Sequence, residues 1–208
     1  MYCQPQFKQD DPAILQALIR SHPLATLVVA SPSGVTADLL PFVLYPDEGE
    51  YGVLRAHAPR ANPVCGALLE GAECLVVFQG PDAYVSPSWY ASKAETHKVV
   101  PTWNFTMVQA RGNARLVDDG QWLRRQLDDL TDAHEARMPQ PWKVADAPAD
   151  FLESICRAIV GIEIPISAIA GKWKTSQNRS TADRAGVTAG LQQHGESAMA
   201  ALVAATLA

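Results

Sequence analysis

The stretch from Phe78 to Phe105, FQGPDAYVSPSWYASKAETHKVVPTWNF, restricts the fold more than any other, because an apolar strand runs into it and a second strand leaves it. Cys74, Leu75, Val76, Val77 and Phe78 make a short apolar run that Gly80 and Pro81 are expected to end as a buried strand. Beyond it, Pro81, Pro87 and Pro101 each fix a backbone dihedral and remove a donor. Tyr84, Trp89, Tyr90 and Trp103 supply flat apolar faces with a polar end. A connection of this length is usually functional or disordered, and its aromatic content argues against disorder. Two readings stay open from these residues alone: a loop covering one end of the core, and a platform for a ligand.

No Gly/Ser-rich or charged linker divides the 208 residues, so a single domain over 1–208 is expected. A hydrophobic fraction of 48 % with 19 % charged residues supplies ample core for a soluble protein. The net charge of −5 argues against a wide basic footprint of the kind that drives nonspecific nucleic-acid binding. The start, MYCQPQFKQDD, lacks the charged and apolar regions of a leader, and no apolar run approaches a membrane span. A cytoplasmic location without a membrane partner is expected. Cys3, Cys65, Cys74 and Cys156 are scattered, without a CxxC pair or histidines at ligand spacing, which predicts reduced thiols and no metal. Cys74 and Cys156 sit in apolar runs and are expected in the core.

Taken in order, Asp11 and Pro12 open a helix whose face carries Ile14, Leu15, Leu18 and Ile19 and which ends before Pro23. Leu24 to Ala30 and Val35 to Tyr45 read as a hairpin about SPSG, and Tyr51 to Ala58 as a third strand after PDEGE. Pro63 to Glu70 is a short helix opened by Asn62. Val99 to Val117 is long enough for an extended strand, with Gly112 as a bulge or bend. Asp118 to Glu135 then changes period: Trp122, Leu123, Leu127 and Leu130 recur at helical spacing, and MPQPW breaks the helix. Pro148 to Ile159 is a second helix with Phe151, Leu152, Ile155 and Ile159 on one side, Gly161 to Ile169 a final strand, and the alanine-rich tail from Thr181 is helical by propensity. The pattern predicts a mainly β protein with added helices, an antiparallel sheet near closure into a barrel.

His22, His57, His97, His134 and His194 show no HExxH and no facial-triad spacing. GxSxG, Walker and GxGxxG signatures are also missing, which excludes classical hydrolase triads, kinases and nicotinamide-binding Rossmann folds. Three polar clusters remain, each beside a strand. Arg55, His57, Arg60 and Asn62, in LRAHAPRANP, stand where a strand gives way to a helix, a natural phosphate site; alternatively Arg60 pairs with a carboxylate and Asn62 caps the helix. Lys93 joins Thr102, Trp103 and Asn104, with Thr102 and Asn104 on one strand face and Trp103 on the other. In GKWKTSQNR, Lys172 and Lys174 share a face if extended, ahead of Ser176, Gln177, Asn178 and Arg179; a solvated basic turn is the competing reading. Together they offer cations for a phosphate, amides for a heterocycle's edge and aromatic faces for stacking.

The strings HPLATLV, LRAHAPRANP, VVFQGPDAYVSPSWY, KVVPTWNF, LTDAHE, IVGIEIPI and GKWKTSQNR, in this order, resemble the PaiB-like family of FMN-binding negative transcriptional regulators over about 22–184. The resemblance implies an FMN-binding split β-barrel related to pyridoxamine-phosphate oxidases and flavin reductases, with C-terminal helical additions, assembled as a homodimer with FMN between subunits. It implies further that His57, Arg60 and Asn62 take the FMN phosphate, with Arg60 foremost, and that Thr102, Trp103 and Asn104 line the isoalloxazine, with Lys93 a further cofactor-binding candidate. Lys172, Lys174 and Gln177 would reach the phosphate or the N1/O2 edge of the flavin, where a positive charge stabilises the reduced ring. The second strand, ADLLPFVLY, departs from the oxidases in lacking their basic phosphate residue.

Two functions from different classes follow. One is a repressor of transcription acting through flavin-linked or indirect means, since there is no helix-turn-helix signature and direct DNA contact would need Lys172, Lys174, Arg179 and Arg184 assembled across a dimer. The other is an FMN-dependent oxidoreductase passing electrons from NAD(P)H to a small acceptor, with the loop around Trp89 and Tyr90 over the flavin. No general base stands out beyond a weak His57, and the scattered histidines disfavour haem.

Overall fold

The structure, a computed structural model, describes residues 1–32, 34–69 and 73–207. In chain order the elements are β1 (Lys8–Gln9), α1 (Pro12–Ser21), β2 (Leu24–Ser31), β3 (Gly34–Pro41), β4 (Val43–Tyr45), β5 (Val53–Pro59), α2 (Pro63–Leu69) and β6 (Glu73–Val85). There follow α3 (Lys93–Thr96), β7 (Thr102–Asn113), β8 (Arg115–Val117), α4 (Gly120–Glu135), α5 (Ala149–Ala158), β9 (Ile159–Pro165), β10 (Ala168–Lys174), α6 (Thr181–Gln193) and α7 (Ser197–Ala204). Ser33 of the first turn and Glu70 of the expected α2 lie outside the described residues.

The strands form a six-stranded sheet, ordered β1-β10-β7-β6-β2-β3, and a four-stranded sheet, β4-β5-β9-β8. Contacts divide the chain into two compact units. One comprises Met1–Leu18, Gln79–Val108 and Ala170–Ala208, the other Ile19–Phe78 and Gln109–Ile169; β6 and β7 continue from one into the other.

In the second unit, β2 buries Ala25, Leu27 and Val29 on alternate positions, the period-two pattern of a sheet with one face on a core. It pairs antiparallel with β3 from Leu24↔Pro41 to Ser31↔Gly34. The expected strand from Val35 to Tyr45 is in fact two, because Pro41 has no N–H to continue the ladder and the chain turns inward at Phe42. The Phe42 N–H donates to the Pro23 carbonyl at 2.9 Å, and its ring meets Phe78 edge-on at 6.0 Å. Val43 to Tyr45 then pair with β5 in the other sheet. β5 pairs in turn with β9 from Val53↔Pro165 to Pro59↔Ile159.

The expected final strand at 161–169 also divides. After Pro165, the N–H groups of Ile166 and Ser167 bond to the carbonyls of Gly52 and Arg111 at 3.0 and 2.9 Å, and β10 begins at Ala168. Gly112 admits the Pro165 carbonyl oxygen, which would stand 2.2 Å from a Cβ there; β7 ends one residue later. α4 starts where Asp119 accepts from the Trp122 N–H at 2.7 Å, an N-cap, and buries Leu123 and Gln126. α5 buries Leu152 alone, leaving Phe151 and Ile155 exposed, so its expected apolar stripe is only partly used. Cys74 is core as expected, its thiol pushed up to about 11 by burial, but Cys156 is only half-buried.

The first unit corrects the expectation that Gly80 and Pro81 end a strand at Phe78: β6 runs through both to Val85. Gly80 is required there by close approach, since a Cβ would meet Thr106 Oγ1 at 2.4 Å and Leu18 at 2.8 Å. Thr106 donates to the Pro81 carbonyl at 3.4 Å. A second cluster in this unit joins Ala83, Val85 and Tyr90 to Val187, Leu191, Met199, Ala200 and Val203, with Trp89 packed against it. A helical tail from Thr181 was expected; its division into two helices and their use as the floor for the aromatic segment were not visible in the sequence. Tyr90 is buried in this cluster with Trp89 packed against it, as the reading of a loop covering one end of the core expects, while Tyr84 and Trp103 are exposed.

Candidate functional site

In the first unit the site is built on the end of β10. After Lys174 the chain turns sharply, with Ser176 at φ 65°, a left-handed conformation that a residue other than glycine keeps only when its surroundings hold it. Gln177 supplies the hold: its Oε1 accepts from the Thr175 N–H at 2.7 Å and its Nε2 donates to the Trp173 carbonyl at 2.6 Å. The turn presents Ser176 Oγ to Asn104 Nδ2 at 2.9 Å. Asn104 is 1 % exposed, and its Oδ1 has no partner, an uncommon state for a buried acceptor.

Lys174 donates to Thr102 Oγ1 at 2.5 Å and to the Trp103 carbonyl. Lys172 donates to the Tyr2 carbonyl at 3.2 Å and stands 5.3 Å from the Phe105 ring. The Arg179 guanidinium lies 4.6 Å over the Tyr90 ring. Among the described residues, none of these three cations forms an ion pair with a carboxylate. Burial pushes the Lys174 ammonium below its ordinary pKa, and the Arg179 and Lys172 charges push it further. Neutral oxygens hold the two lysines, an arrangement with capacity for an anion.

The structure thus brings Thr102, Trp103, Asn104, Lys174 and Gln177 into one bonded constellation, with Lys172 on the same strand. Lys93 belongs to short α3 and bonds to Ser88 Oγ at 3.1 Å. Sequence reasoning missed Asp183, 4 % exposed, which accepts the N–H and hydroxyl of Ser92, each at 2.9 Å. Burial would raise that carboxyl, but the Ser92 and Ser180 bonds and the Arg179 charge hold it below the usual range. No motif marked it.

In the second unit, His57, Arg60 and Asn62 each have partners of their own. His57 Nδ1 meets Gln126 Oε1 at 2.8 Å, and Gln126 Nε2 has no partner. Arg60 faces Asp118 with both terminal nitrogens and gives Nε to the Arg157 carbonyl at 2.8 Å. Asn62 accepts from the Val64 N–H at 2.9 Å, capping α2, and donates to Asp38 at 2.9 Å. To take a phosphate, Arg60 would have to exchange Asp118. Also missed was Glu163, 4 % exposed, which accepts from Arg55 and Arg115 at 2.7 Å and from the Trp122 indole at 3.3 Å. Its signal was a lone carboxylate in the apolar string IVGIEIPI.

The residues present fit FMN: unpaired cations suit its phosphate or electron-rich edge, and the orphaned Asn104 oxygen marks polar capacity left unused beside them. Residues 1–168 match the family described as "Putative FMN-binding domain", a match that ends at the first residue of β10. An uncharacterised protein of Emericella nidulans, AN0679, is 35 % identical over 95 % of this chain and 93 % of its own length. Protease synthase and sporulation protein PAI 2 of Bacillus subtilis is 28 % identical over 92 % of this chain and 89 % of its own. Among solved structures, the FAD and heme binding protein from Mycobacterium smegmatis has a TM-score of 0.60 at 19 % identity, covering 80 % of this chain and 73 % of that one. At that identity the likeness is one of fold, the pyridoxamine-phosphate oxidase-like split barrel, here with its sheets not closed. Such extensive matches establish that the chain belongs to this FMN-binding family, with FMN as its cofactor and the PaiB-like protein of Bacillus among its homologues.

Proposed function

We propose that the chain is a flavin-linked oxidoreductase that passes electrons from NAD(P)H through FMN to a small acceptor, with the flavin held at the β7–β10 constellation. The observation that carries this reading is the trio Lys172, Lys174 and Arg179, gathered without a carboxylate partner beside buried Asn104. Bound FMN supplies hydride and single-electron chemistry. Lys174, fixed by Thr102 and the Trp103 carbonyl, keeps its ammonium at one point, where it favours negative charge on a ligand. Asn104 is oriented by Ser176, and Gln177 holds the turn that positions both. Trp103 and Tyr84, exposed and edge-on at 6.0 Å, offer the apolar face for a planar ring or for a second copy of the chain. In the other unit Leu24, Val35 and Leu39 are exposed on β2 and β3, which supports the homodimer as part of the proposal.

The test is titration of the purified protein with FMN after removal of any bound flavin, followed by anaerobic addition of NADH or NADPH. Binding near one equivalent per subunit, weakened about tenfold or more in Lys174→Ala, and bleaching of the flavin band are expected. Failure of both nicotinamides to bleach bound FMN would sink the oxidoreductase reading and leave the cofactor site standing.

A second reading, a negative regulator of transcription, is favoured by the similarity to PAI 2, whose name ties that protein to protease synthesis and sporulation. With a net charge of −5, direct DNA binding would have to come from a local patch on β10 and α6. Equal affinity for promoter and random DNA at low and moderate salt would exclude it.

A further inference from the structure

The groove between α4 and α5 combines an apolar lining with more arginines than its own acids can pair. Its volume is about 700 Å³, within the range of small-molecule sites. Leu123, Leu152 and Ala149 line it, with half-buried Cys156 beside them. Arg60, Arg124, Arg125 and Arg157 stand around it. Its two acids are already committed, Asp118 to Arg60 and Glu153 to Arg157 at 3.8 Å. Arg124 reaches only Asp128, loosely at 3.7 Å, and Arg125 has no ion pair among the described residues.

The groove also includes Gly120 and Gln121, the first residues of a 16-residue helix, whose N-terminal end carries partial positive charge. Helix end and guanidinium groups therefore agree in sign. An apolar lining alone would accept any greasy molecule; the uncompensated charge selects one with an anionic head.

We infer that this groove binds an organic anion with an apolar body, a medium-chain alkyl carboxylate in chemical class. Arg124 and Arg125 take the carboxylate, and the chain lies on Leu123 and Leu152. The site is independent of the flavin reading and of Lys174.

The test uses the protein as purified with FMN added, carrying Cys3→Ser so that Cys156 is the thiol open to an aromatic disulfide reagent, Cys65 and Cys74 being buried. Decanoate slows labelling of Cys156 saturably, and decan-1-ol at equal concentration does not. Arg124→Gln with Arg125→Gln raises the decanoate required about tenfold, the scale of one charge-assisted bond; the Lys pair recovers most of it. An unchanged labelling rate, equal protection by the alcohol, or protection indifferent to the Gln pair overturns the assignment. Release of flavin absorbance into the filtrate on adding decanoate overturns it too, since the acid would then occupy the flavin's site.

Discussion

Trp89 packs against the bare Cα of Gly190, where a Cβ would stand 2.3 Å from the indole Cδ2. One turn earlier, a Cβ at Gly186 would come within 2.0 Å of the Trp89 carbonyl oxygen. Glycine inside a helix costs about 1 kcal/mol against alanine. α6 accepts that cost twice to let the aromatic segment after β6 lie directly on its backbone.

Gly190→Ala therefore destabilises the protein by about 1–3 kcal/mol, because the gain in helix propensity is smaller than the displacement of Trp89. Gly66→Ala, in α2 with nothing within 4 Å of the new methyl, does the opposite and stabilises by about 0.5–1 kcal/mol. Thermal unfolding of the two variants should give shifts of opposite sign; equal shifts would show that the contact at Gly190 yields.

The buried carboxylate of Glu163 makes stability fall in acid. Burial alone would raise its pKa, but bonds and charge from Arg55 and Arg115 outweigh burial and hold it below the usual range. Because the folded pKa is depressed, the stabilisation is present above the unfolded value near 4.5 and is lost as pH falls through the folded one. Glu163→Gln leaves Arg55 with Glu48 at 2.6 Å as its remaining carboxylate, takes the carboxylate from Arg115, and costs about 2 kcal/mol at neutral pH. Urea midpoints measured from pH 7 downward should show a shallower acid loss in the variant than in the parent protein.

At Lys174 the sign reverses with respect to ligand. Its ammonium pairs with an anion only while protonated, and burial with two neighbouring cations has moved its pKa below the ordinary 10.5. FMN affinity should hold at neutral pH and decline as pH rises through that lowered value. Lys174→Arg, which keeps its charge, should flatten the decline. Identical pH profiles for the two proteins would remove Lys174 from the flavin site.

Asn62 is engaged at both ends of its amide, and its truncation tests cap against cofactor. Asn62→Ala should cost about 1 kcal/mol with FMN affinity little changed. Asn62→Asp keeps the cap but sets a carboxylate against Asp38 and should cost at least as much. Loss of FMN binding in a folded Asn62→Ala protein would restore the phosphate role that the motif implied.

Sequence alone determined the elements that local chemistry governs: the capped starts of α1 and α2, the helical period of α4, the apolar run of β2, and the two-residue period placing Thr102 and Asn104 opposite Trp103. It also carried the family, through strings whose order no composition could supply. Tertiary structure decided what those elements met. Gly80 and Pro81 read as a stop, yet the strand continues, and the glycine instead leaves room for Leu18 and Thr106. The aromatic segment read either as a cover for the core or as a ligand platform, and Tyr90 joined a cluster built by α6 and α7, with Trp89 packed against it. Arg60 met Asp118, while Lys174 met only neutral oxygens and two like charges. Propensity and period act over a few residues and are written in order along the chain. The partner of a charge, or the owner of a cavity, is set by residues far apart in sequence, and only folding brings them within reach.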